Sequence, residues 1–91
     1  MRPAARGLEE HRRLLELMAA AAATIPSPAV SDDAWTTMAA AKRHRLAVLD
    51  AQRDALLTAR DDGAFSSAAL TAVLAVLDAD QLAVEMRGAP V

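Results

Sequence analysis

The residues best equipped for chemistry are the carboxylates and arginines between Arg53 and Asp80, together with two histidines, His11 and His44. Asp61, Asp62, Asp78 and Asp80 superficially invite an ion. A hard cation takes six or more oxygens from a shaped loop, and the connection around Gly63 is too short to supply them. Carboxylates at helix ends are the plainer reading. Asp61 and Asp62 then fall at a helix C-terminus, where negative charge is mildly unfavourable, and they call for Arg60 or Arg53 as a partner. The histidines fall on different predicted helices with no carboxylate spacing that suggests a ligand set, whereas zinc needs three or four protein ligands in tight geometry. Cys 0 removes disulfides, thiolate nucleophiles and cysteine metal sites. Ser, His and Asp all occur, but without a Gly-x-Ser-x-Gly elbow, and Gly 3 leaves no material for a phosphate cradle. The expectation is no enzyme, no metal and no cofactor.

One basic cluster remains, Lys42-Arg43-His44-Arg45. Anionic lipid headgroups or nucleic acid would be its functional partners. Four consecutive helical residues fan around the axis instead of forming one patch, and stacking aromatics are lacking. A solvated polar band is the plain reading, weak lipid contact through Lys42, Arg43 and Arg45 the alternative, and nucleic acid is not expected.

The elements that must position these groups follow from composition. Of the 91 residues, 24 are alanine, against 12 leucines, 6 valines and 4 methionines. Burial stabilises by roughly 25 cal/mol per Å² of apolar surface, so an alanine-rich domain of this length is marginal alone. Self-association or a larger parent protein would supply the missing area. The net charge of −2 divides into +2 over residues 1–45 and −4 over 46–91, which permits antiparallel electrostatic pairing. No segment is expected to span a membrane. The uncharged run 63–77 is shorter than the roughly 20 residues a crossing needs, and Glu9, Glu10 and Glu16 interrupt any secretory core. The chain is therefore expected to be soluble.

The pattern predicts an all-α, up-down-up domain of three helices, near residues 4–24, 32–61 and 67–87, completed by self-association. In the first helix Leu8, His11, Leu15, Met18, Ala22 and Ile25 form the candidate inner face. Pro26 and Pro28 end it. Ser31, Asp32 and Asp33 offer caps for the second helix, whose apolar side is Trp35, Met38, Leu46, Leu49, Leu56 and Leu57, with Trp35 read as a core anchor. Ala47, Ala51, Ala55 and Ala59 form a second strip on which another helix could approach, a candidate self-association face. Gly63 closes the helix. Ser66 caps the third, with Phe65 and Leu70 as a hydrophobic staple. There Leu70, Val73, Leu74, Leu77, Gln81 and Val84 point inward, and Asp78 with Gln81 has capping-box spacing that would let the helix kink or restart.

From residue 52 onward the order of residues resembles the cytosolic C-terminal tail of bacterial monovalent cation/proton (Na⁺/H⁺) antiporters. Arg53 and Leu56 take the family's arginine and first leucine; Arg60, Asp61 and Gly63 take its Arg-Asp-x-Gly. Phe65 stands for an isoleucine, Leu70 and Val73 take the next apolar positions, and Leu77-Asp78 the closing Leu-Asp. Gln52, Ala59 and Ala79-Asp80-Gln81 depart from the pattern. The resemblance covers about the last third of the chain. It implies a cytoplasmic region at the inner face of the plasma membrane, with regulatory or dimer-supporting roles. Its partners would be itself and the membrane domain of the parent antiporter. Transport carboxylates belong to that membrane domain, so no transport role falls on any residue here. The alternative is a free-standing, homodimeric helical adaptor.

Overall fold

In a computed structural model that describes residues 3–28 and 30–87, the chain forms three α-helices: α1 Pro3–Ala23, α2 Ala34–Asp61 and α3 Ser67–Met86. The all-α, three-helix expectation holds, with every boundary within two residues of the one predicted. Caps explain why. Asp33 takes an extended conformation (φ −84, ψ 114) and accepts from the Trp35 amide at 3.1 Å and the Thr36 hydroxyl at 2.6 Å. Thr37 Oγ1 donates to the Ser31 carbonyl at 2.9 Å and accepts from the Ser31 amide, pinning the proline-bearing connection to the first turn of α2.

At the other end of α2, Gly63 adopts φ 67, the left-handed conformation that costs glycine little. Its amide donates to the Arg60 carbonyl at 3.1 Å, and the Ala64 amide donates to the Ala59 carbonyl at 3.0 Å. Those two bonds make a Schellman close. Ser66 then caps α3, accepting from the Ala69 amide at 3.2 Å.

α2 is the central element, with α1 on one side and α3 on the other. The core is small: Leu14, Leu49, Leu56, Leu70, Leu77 and Val84, with Leu17, Met18, Leu46, Phe65, Val73 and Leu74 packed around it. Gln52 is the buried polar side chain, and its amide donates to the Met18 carbonyl at 3.1 Å, tying α1 to α2. A carbonyl has a second lone pair, so this bond need not disturb the α1 ladder.

Three expectations need correction. The inner face of α1 is Leu14, Leu17, Met18 and Ala21, while Leu8, His11 and Leu15 are exposed. Leucines stand at two registers of this helix, and the pair Leu14 and Leu17, one turn apart with Ala21 beyond, fits α2 more closely. Trp35 and Met38 are not core anchors. They are 70% and 61% exposed, because α3 ends opposite Lys42 and the first turns of α2 project past it. Nor does α3 restart at Asp78; it runs unbroken to Met86.

The molecule measures 56 × 28 × 22 Å, and its radius of gyration is 15.9 Å, against about 12 Å for a compact domain of this length. Its accessible surface is 6502 Å² for 9.6 kDa, where a folded monomer of that mass averages about 5,100 Å².

Candidate functional site

Of the chemistry-bearing residues, Arg53, Asp78 and Asp80 converge on the α2–α3 seam, where they serve as a clasp, while His11, Asp61 and Asp62 are exposed away from it. Arg53 Nη1 donates to Asp78 Oδ1 at 2.5 Å and Nη2 to Gln81 Oε1 at 2.9 Å. Gln81 in turn donates to Glu85 Oε1 at 3.0 Å. Two turns earlier on α2, Arg45 Nη2 reaches Asp80 Oδ2 at 3.2 Å. Lys42 Nζ donates to the Glu85 and Arg87 carbonyls, each at 3.2 Å, and so caps the C-terminus of α3 with positive charge. Leu49, 0% exposed, lies between these cations on the same face. Three cations of α2 thus meet the acidic or carbonyl-rich end of α3 and fix its antiparallel register.

Among the motif residues, Arg53 and Asp78 meet directly. Leu56, Leu70 and Leu77 enter the core, with Phe65 at its edge. Arg60 Nε lies 3.8 Å from Asp61 Oδ1 in an exposed pair of its own. The string is therefore a helix-turn-helix whose two arms are locked by Arg53 and Asp78. In the basic cluster, Lys42 and Arg45 turn to α3 while Arg43 is exposed. In the alanine strip, Ala59 is buried within the chain and Ala47, Ala51 and Ala55 are half-buried. Among the described residues no three His, Asp or Glu side chains gather as a metal site.

Two features escaped the sequence reading. Glu10 of α1 accepts from the Ser66 amide at 2.9 Å and from its hydroxyl at 3.0 Å, placing a carboxylate at the positive end of α3. The Ser66 amide, and then its hydroxyl, hold Glu10 below the ordinary glutamate range. Arg13 stands 5.0 Å over the Phe65 ring on the same corner. Nothing local in the sequence marks a contact 56 residues apart.

The second feature is the back of α3. An 18-residue stretch of this 20-residue helix has a mean hydropathy of 1.5, so by length and composition it reaches what a membrane crossing requires, yet 17% of that stretch is buried. The run 63–77 stopped at Asp78 and so undercounted a helix whose apolar character continues past it. The inward stripe holds Leu70, Leu77 and Val84 as predicted. The opposite side, Ala68, Thr71, Ala72, Ala75, Val76, Ala79, Leu82, Ala83 and Met86, is exposed throughout. It spans roughly 140° of the helix at 3.6 residues per turn and bears no charge. Asp78 and Glu85 border one flank and Asp80 the other.

A shallow cavity of about 340 Å³ also opens at the projecting end of α2, lined by Trp35, Met38, Ala39, Ala41, Lys42 and Arg87. Its floor is apolar, and its amine is already committed to the α3 carbonyls.

Comparison with family models, with curated proteins and with solved structures gives no match. The antiporter resemblance rests on residue order alone.

Proposed function

We propose that this chain is a non-catalytic assembly module that docks another helix on the uncharged back of α3. The observation that carries this reading is a helix apolar on both sides with only one side covered. An amphipathic helix of a globular domain keeps one apolar stripe for its core, so a second, uncovered apolar side is surplus to the fold, and exposed apolar patches of this kind mark interaction sites. The polar groups of the seam support the same reading. They pair with one another across α2 and α3, which leaves them positioned to hold α3 in place and not to act on a substrate.

A membrane crossing by α3 is disfavoured, since it would strip Asp78 from Arg53 and Asp80 from Arg45. The order of residues from Arg53 to Asp78 supports a setting at the cytosolic end of a sodium/proton antiporter, and the free-standing adaptor is the other setting. A run of membrane-spanning helices encoded immediately upstream would decide for the first.

The test replaces Ala75 by Glu and Leu82 by Arg, both exposed, and follows the native size of the protein in cell extracts by size exclusion. The wild type is expected in a species larger than the monomer and the variant at monomer size, with helicity unchanged and, in dilute purified samples where neither associates, the same melting midpoint. Co-migration of the two overturns the proposal.

A further inference from the structure

The back of α3 carries a seam spaced four and three residues apart in strict alternation: Ala68, Ala72, Ala75, Ala79, Leu82 and Met86. That is the repeat of a helix meant to lie along another. Its size pattern is uneven, small through the first four positions and large at the last two. The geometry points to a second copy of this chain as the occupant, its α3 laid antiparallel on this one about a two-fold axis at the level of Leu77. This inference rests on the docking role of α3 argued above and names its partner.

Antiparallel placement sets Ala75 against Ala79, Ala72 against Leu82 and Ala68 against Met86. All three pairs are centred on the same level, so one register satisfies the whole seam. Each large side chain meets an alanine, and the helices keep an even separation near the close end of the usual 8–10 Å. Parallel placement sets Leu82 on Leu82 and Met86 on Met86 at one end, with alanine on alanine at the other. The helices would splay into a wedge with a gap along its narrow side. A two-fold contact also requires a self-complementary surface, which is what the mirrored size order provides.

The chain also has surface enough for such a contact. The accessible surface of 6502 Å² exceeds that of an average monomer of this mass by about 1,400 Å². A standard interface takes about 800 Å² from each partner, so the surplus suffices for one such contact. A lipid surface is a poorer occupant. Interfacial helices carry Lys and Arg beside the apolar face, whereas Asp78, Asp80 and Glu85 border this one.

Because the chain has no cysteine, single substitutions read the register directly. Ala68→Cys and Met86→Cys proteins, full-length and purified, are oxidised separately and as a mixture. In the antiparallel pair the two copies of Ala68 lie about 27 Å apart at 1.5 Å per residue, too far for a disulfide. The expected result is a cross-linked heterodimer in the mixture and no cross-link in either protein alone. Homodimeric cross-links in the separate samples, or no cross-link in the mixture, overturn the proposal. An assembly in cell extracts that still depends on Ala75 and Leu82, seen with no cross-link here, would leave α3 as a docking face and assign it a different partner.

Discussion

Leu49→Ala and Leu82→Ala remove the same atoms from opposite surroundings. Leu49 is 0% exposed between α2 and α3, while Leu82 is 58% exposed on the back of α3. Buried Leu→Ala changes cost about 2–5 kcal/mol, more where neighbours cannot close the cavity. Leu49 sits in a seam whose spacing is fixed by Arg53, Arg45 and Lys42 on either side, so little collapse is available and about 3–4 kcal/mol is expected. At roughly 0.05–0.15 kcal/mol per residue, the whole domain has on the order of 5–14 kcal/mol. With a core this small it belongs near the lower end, and one substitution removes a large share. Urea denaturation followed by far-ultraviolet circular dichroism reads the loss at low protein concentration. Leu82→Ala under the same conditions should cost no more than about 0.5 kcal/mol, and more as concentration rises and copies pair. A Leu49→Ala loss below about 1 kcal/mol, or equal losses at both sites when dilute, would refute the assignment of the two faces.

Further outcomes follow from the seam and the caps. An Arg53→Ala, Asp78→Ala double-mutant cycle should give a coupling of about 0.5–1 kcal/mol that shrinks with added salt, because Asp78 is largely exposed; denaturation midpoints across the four proteins measure it. Gly63→Ala should cost about 1–2 kcal/mol purely through its φ of 67, since no atom lies within 4 Å of the added carbon. Gly7→Ala, in the interior of α1 with the same open space, should instead stabilise by about 0.5–1 kcal/mol. Glu10 has a lowered pKa in the folded chain, so its contribution is present above the unfolded glutamate pKa and is lost as pH falls through the lowered folded value. Glu10→Gln should flatten the acid limb of a stability–pH curve, and an unchanged limb would contradict the Ser66 contact.

The three helices were legible because their ends carry their own chemistry. Pro26 and Pro28, the Asp33 and Ser66 caps and the Gly63 close act within a few residues of themselves. Faces were less legible. Leu8 with Leu15 and Leu14 with Leu17 satisfy the same helical spacing, and only the surface of α2 chooses between them. Trp35 looked like an anchor because a lone tryptophan in a small apolar domain usually is. Its exposure follows from where α3 ends relative to α2, a register fixed by Lys42, Arg45 and Arg53 reaching residues 25 to 45 positions away. Glu10 and Ser66 carry no local sign of each other. The seam on the back of α3 was written in the sequence, but only the structure shows which side of that helix is already covered, and the sequence pointed to the alanine strip of α2 instead.

Sedimentation equilibrium of the wild type and of Leu82→Glu across a wide concentration range tests the docking face most directly. The wild type should rise from 9.6 kDa toward twice that mass. Leu82→Glu should hold the monomer mass, because each pair would bury two unpaired carboxylates and lose at least about a hundred-fold in affinity. A wild type that stays at the monomer mass throughout, or a variant that associates as it does, would contradict the self-pairing of α3.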